Sequence, residues 1–107
     1  MAYNEGLDSK ITEIVSDWGA IRKKMFGGTC YLLKGNMMCG VYKDYLVLRL
    51  GEKQTPEVFS QPYVKPFDIT GRPMKGWVMV EEAGVKGKAL GRWLKKARDF
   101  VASLPSK

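Results

Sequence analysis

The chain has 107 residues, 45% of them hydrophobic and 27% charged, with a net charge of +7 and no histidine. That is enough for one compact core over residues 1–107 and too little for two, and the composition excludes disordered and fibrous classes. No apolar run approaches the ~20 residues that cross a bilayer, and Met1-Ala2-Tyr3-Asn4-Glu5 lacks the basic-then-apolar start of an export signal, so a cytoplasmic protein without a membrane segment is expected.

Residues 1–20 carry a net −3, which leaves +10 for residues 21–107. Within the acidic start, Leu7, Ile11, Ile14, Val15 and Trp18 recur at the spacing of one helical face. This predicts a helix over about 4–17, capped by Asn4, stopped at Gly19, and with Glu5 and Asp8 placed to complement the helix dipole.

Next comes Arg22-Lys23-Lys24-Met25-Phe26-Gly27-Gly28. Glycine and lysine together can cradle an anion, but there is no Gly-Lys-Ser/Thr ending and no helix signal after the glycines, so nucleotide binding is disfavoured. The expected role is structural: Gly27 and Gly28 supply positive φ or a bulge at the start of a sheet, and Met25 and Phe26 pack into the core.

From Thr29 to Leu50 the pattern reads as three strands joined by tight turns at Gly35-Asn36 and Lys43-Asp44. With two-residue turns, Cys30 faces Val41, Leu32 faces Cys39, Val41 faces Leu46 and Cys39 faces Leu48. One face then gathers Cys30, Leu32, Met37, Cys39, Val41, Leu46, Leu48 and Leu50 as core. The other gathers Tyr31, Leu33, Met38, Tyr42, Tyr45, Val47 and Arg49, an amphipathic surface. A one-residue slip at either turn exchanges the two sets.

Thr55-Pro56-Glu57 has the form of a helix start, and Pro62 limits that helix to one or two turns. Phe67 to Thr70 and Gly76 to Glu81 read as two further strands around a Gly71-Arg72-Pro73 turn, with Pro66 suited to an edge or a strand start. The run Gly71-Arg72-Pro73-Met74-Lys75-Gly76-Trp77 joins cations, a turn and an aromatic; turn chemistry accounts for it, with a small anion or peptide site as the functional alternative.

The last helix is expected from about Lys86 to Ser103. Leu90, Trp93, Leu94, Ala97, Phe100 and Val101 lie on its apolar arc, and Lys88, Arg92, Lys95 and Lys96 on the other side. Residues 84–107 alone carry +6. The expected order is α-β-β-β-α-β-β-α, a two-layer α+β domain with a five-stranded antiparallel sheet and helices on one face.

Arg22 with Met25-Phe26-Gly27-Gly28, and the later run with Phe67, Gly71, Arg72, Pro73, Met74 and Trp77, resemble the N-terminal domain of the TfoX/Sxy family. The resemblance spans nearly the whole chain. It implies a two-layer sandwich with the helices on one side of the sheet, and a role in the regulation of natural competence in bacteria. Longer members add a C-terminal helical domain and this chain ends at Lys107, so a free-standing N-terminal domain is expected.

Cys30 and Cys39 without histidine cannot build a zinc site in one subunit. Buried, reduced thiols are expected, with neither metal nor cofactor. No nucleophile elbow, carboxylate cluster or dinucleotide fingerprint is present, so no enzymatic activity is expected. The leading expectation is a regulatory or adaptor domain contacting a protein partner, or a second copy of itself, through Tyr31, Met38, Tyr42, Tyr45 and Arg49. The alternative is weak nucleic-acid association through Lys88, Arg92, Lys95 and Lys96 and the tyrosine-arginine face. A third is a small-ligand sensor at the Met-Phe-Gly-Gly turn.

Overall fold

The computed structural model describes residues 5–25, 28–52, 55–67 and 76–105. Helix α1 runs from Glu5 to Val15, continues as a 3-10 turn over Ser16–Trp18 and stops at Gly19, whose φ is 78°. Its stripe of Leu7, Ile11 and Val15 is buried, as the helical period requires. The proposed cap Asn4 lies outside the described residues.

Among the described residues six strands are formed: β1 Ile21–Met25, β2 Gly28–Leu33, β3 Asn36–Tyr42, β4 Tyr45–Arg49, β5 Val64–Pro66 and β6 Trp77–Val80. Helix α2, Thr55–Val58, lies between β4 and β5; a 3-10 turn at Glu82–Gly84 leads into α3, Lys88–Ala102. The strands form one antiparallel sheet in the order β1-β2-β3-β4-β6-β5. The expected five-stranded sheet is therefore wrong by one strand, and four strands rather than three precede α2. The missed strand β1 is an edge strand, and Ile21, Arg22, Lys23 and Lys24 are all exposed. Three successive cations hide the period-2 signal while guarding the open edge against pairing with another chain. β5 lies upstream of the expected Phe67 to Thr70 strand, at the opposite edge, where the missing N–H of Pro66 is tolerated. Residues 68–75, including the proposed turn, lie outside the described residues.

The β3–β4 register pairs Cys39 with Leu48 and Val41 with Leu46, matching the expected pairing. The β2–β3 register does not match. Leu33 pairs with Asn36, so the turn is Lys34-Gly35, one residue earlier than expected, with φ of 53° and 84°. A bulge at Tyr31/Leu32 then resets the ladder to Tyr31 opposite Cys39 and Thr29 opposite Val41. This shift turns Tyr31, Leu33 and Met38 into the core in place of Cys30, Leu32 and Met37.

The main core lies between the sheet and the helices, where Leu7 and Ile11 of α1, Val58 of α2, and Leu90, Trp93, Leu94, Ala97 and Val101 of α3 meet Tyr31, Met38, Leu46, Leu48, Val78 and Val80. The indole N–H of Trp93 donates to the Gly84 carbonyl at 3.2 Å. Burying a large apolar side chain contributes roughly 1.5–3 kcal/mol, so α3, with five buried residues, is integral to the fold.

Candidate functional site

Asp8 and Thr12 stand one turn apart on the same flank of α1, and Arg22 and Tyr31 are cross-strand partners of β1 and β2. Both pairs therefore face each other across the helix–sheet junction. The Arg22 guanidinium grips the Asp8 carboxylate in a fork, Nη2 to Oδ2 at 2.6 Å and Nε to Oδ1 at 3.3 Å. The Tyr31 hydroxyl donates to Oδ1 of the same carboxylate. Thr12 donates to the Asp8 carbonyl at 2.9 Å, and its hydroxyl lies 2.8 Å from that of Tyr31. Asp8 is thus a buried acid rather than a solvent-facing dipole partner. Arg22, one of the family-like residues, ties the edge strand to α1.

Met25 closes β1 opposite Gly28; Phe26 and Gly27 lie outside the described residues. Gly28 is not a positive-φ residue. It is required for closeness instead: a Cβ there would fall 2.0 Å from the Val41 carbonyl oxygen, and one at Gly40 would fall 2.3 Å from that of Thr29. Backbone of β2 and β3 meets at both positions, and neither oxygen can turn aside as a side chain would.

Of the expected partner face, Tyr31 and Met38 must be removed, because both are buried in the main core. The opposite face of the sheet holds a second cluster of Val47, Phe67 and Met79, against which Tyr42, Tyr45 and Trp77 pack half-buried. Phe67 and Trp77, from the second family-like run, form a tilted pair with centroids 5.8 Å apart. Gly71, Arg72, Pro73 and Met74 of that run lie outside the described residues. Cations sit over the rings: Lys43 is 5.4 Å from Tyr42, Lys65 is 5.5 Å from Tyr45, and Arg49 is 5.7 Å from Trp77. The broad apolar patch inferred from the sequence is absent among the described residues, since Tyr31, Leu33, Met38 and Val47 are all buried within the subunit. A smaller aromatic and cationic surface stands in its place.

On α3, Lys88, Arg92, Lys95 and Lys96 are exposed, opposite the buried arc. Arg98 instead lies 4.8 Å over the Trp18 ring, bracing α3 against the end of α1.

Cys30 and Cys39 are both buried. Cys30 pairs with Gly40 and Tyr31 with Cys39, so the thiols point to opposite faces rather than lying diagonally on one. Burial pushes both thiols up, with Lys23 opposing the rise at Cys30 and Cys30 adding to it at Cys39. The Tyr31 phenol is raised as well, first by burial and then by its bond to Asp8, against smaller opposing effects of Thr12 and Arg22. In the unfolded chain these groups lose protons near their ordinary values of about 8.5 and 10. Their stabilising effect is complete below those values and is progressively lost as pH rises above them toward the raised values of the folded protein. The urea midpoint should therefore fall between about pH 8 and pH 10.5. Thiol reagent should label both cysteines slowly in the native protein and rapidly in denaturant; fast native labelling would contradict the buried register.

Among the described residues no group of three or more metal-ligating side chains is gathered, and no helix is long and apolar enough to cross a membrane. The molecule is a two-layer α+β domain whose arginine-bearing edge strand is locked to its first helix and whose outer sheet face is closed by an aromatic pair. Residues 13–101 match the family model described as the TfoX N-terminal domain, and the chain belongs to that family. No curated protein and no solved structure gives a significant match.

Proposed function

We propose that the chain works as one regulatory or adaptor domain of the TfoX N-terminal type, acting in the cytoplasm through contacts with a protein partner or a second copy of itself. Family membership supports a regulatory role of the kind associated with natural competence. The observation that carries the contact reading is the outer sheet face, where Tyr42, Tyr45 and Trp77 are half-buried beneath Lys43, Lys65 and Arg49. Aromatic and arginine side chains held on a rigid sheet are the groups that dominate protein interfaces. Affinity capture from the native lysate, paired with sedimentation of the purified protein, tests this. Tyr42→Ala/Tyr45→Ala should reduce the specifically captured partner, or the self-association, about tenfold. Equal capture by the variant, or a monomer that captures nothing, would refute the reading.

The exposed cations of α3 favour nucleic acid as a second reading. Neutralising Lys88, Arg92, Lys95 and Lys96 should abolish a weak, salt-sensitive and sequence-independent affinity, because no base-reading element accompanies the charge. Tight, sequence-selective binding that vanishes in this variant would place nucleic acid first.

A further inference from the structure

A cleft of about 450 Å³ opens between α3 and the chain entering β5. Pro62, Tyr63 and Gly84 line one side, and Arg92, Trp93 and Lys96 the other. Its walls are fixed. Tyr63 is held at φ 70°, a conformation rarely adopted by a bulky side chain, and its carbonyl accepts from the Glu81 N–H at 2.8 Å. A Cβ on Gly84 would lie 2.8 Å from the Tyr63 Cβ, so glycine lets the 3-10 turn close against the tyrosine. The Trp93 indole donates to the Gly84 carbonyl and pins that turn to α3. The result is a tyrosine residue 48% exposed on a braced backbone.

Charge decides the occupant. Among the described residues the charged lining is Arg92 and Lys96, both cationic, both exposed, and neither in an ion pair. One helical turn separates them, which sets their Cβ atoms about 5–6 Å apart. Alternate side chains of an extended strand stand about 6.6 Å apart on one side, near that spacing, while the intervening ones point the other way. An extended segment with acidic residues at every second position would meet the two cations on one wall. Its apolar alternates would meet Pro62 and Tyr63 on the other.

We propose that this cleft docks an extended segment of a partner protein in which acidic and apolar residues alternate. The proposal rests on the reading of the chain as a protein-contact domain but uses a different surface from Tyr42 and Tyr45, so either can fail alone. Nucleic acid is disfavoured here because most of the cleft is apolar and it engages only two of the four exposed α3 cations.

The probe is an acetylated, fluorescently labelled peptide, Glu-Leu-Glu-Phe-Glu-Leu, followed by anisotropy against the full chain, with Lys-Leu-Lys-Phe-Lys-Leu and a single-stranded oligonucleotide as comparisons. The acidic peptide should bind saturably and the lysine peptide should not. Arg92→Glu/Lys96→Glu, two exposed changes, should weaken binding by about tenfold or more, with circular dichroism confirming the fold. Tyr63→Gly, which accepts the positive φ but removes the ring, should weaken it about fivefold. Lys88→Gln/Lys95→Gln and Tyr42→Ala/Tyr45→Ala should each change it less than about twofold. The proposal is overturned by no saturation at about 1 mM peptide, by unchanged affinity in either cleft variant, by an equal loss in Lys88→Gln/Lys95→Gln, or by an oligonucleotide that binds more tightly and displaces the peptide.

Discussion

Gly28→Ala should cost about 3 kcal/mol or more, a large share of the total stability of a small domain. The added methyl would sit 2.0 Å from the Val41 carbonyl oxygen, and the obstacle is backbone in the middle of a paired ladder. Gly40→Ala should behave in the same way against Thr29, 2.3 Å away. Relief requires the two strands to part, which breaks the ladder hydrogen bonds and shifts Tyr31 and Val41 within the core. Because both changes strain one strand pair, the double variant should lose less than the sum of the two. Gly91→Ala is the counter-example. Open space surrounds that position on α3, and alanine there should stabilise by about 0.5–1 kcal/mol. Urea denaturation of the four variants measures all of this, and a Gly28→Ala protein as stable as the parent would show that the strands do not approach so closely.

Asp8→Ala should cost about 2–3 kcal/mol, near or just below the lower end of the range for breaking a buried ion pair. The Arg22 side chain is 39% exposed and can recover water, whereas the Tyr31 hydroxyl is buried and loses its carboxylate acceptor. For a domain of this size that is a fall of roughly 10 °C in Tm. Tyr31→Phe should cost about 1–2 kcal/mol. In Asp8→Ala/Tyr31→Phe the combined loss should be smaller than additive, because both single changes remove the same hydroxyl–carboxylate bond. A loss of under 0.5 kcal/mol for Asp8→Ala, about the size expected of a surface substitution, would mean that the junction behaves as a solvated surface pair.

The partner surface has shrunk from the one that the strand pattern suggested, and the reason is specific. A turn at Lys34-Gly35 rather than Gly35-Asn36, followed by a bulge, rotates β2 by one residue. Tyr31 then becomes the buried partner of Asp8, and only Tyr42, Tyr45 and Arg49 of the expected set remain on the outer face. Two of the five proposed contact residues thus serve the helix–sheet junction and the core.

Local chemistry was enough for the features written in adjacent residues. The 3.6-residue period of Leu7, Ile11 and Val15 placed α1, that of Leu90, Trp93, Leu94, Ala97 and Val101 placed α3, Thr55-Pro56 placed α2, and the β3–β4 turn set Cys39 against Leu48. The motif residues also pointed to the family that the chain belongs to. Everything resting on encounters between distant segments was decided by tertiary structure. β1 is a strand because β2 supplies its hydrogen bonds, since its own Arg22, Lys23 and Lys24 carry no alternating apolar signal. Asp8 is an ion-pair partner because Arg22 and Tyr31, 14 and 23 residues away, reach it from two strands. The cleft beside Arg92 and Lys96 exists because Tyr63, Gly84 and Trp93 converge from three elements. Periodicity reports which side of an element is apolar, but which partner covers that side, and in which register, is settled only when the whole core closes.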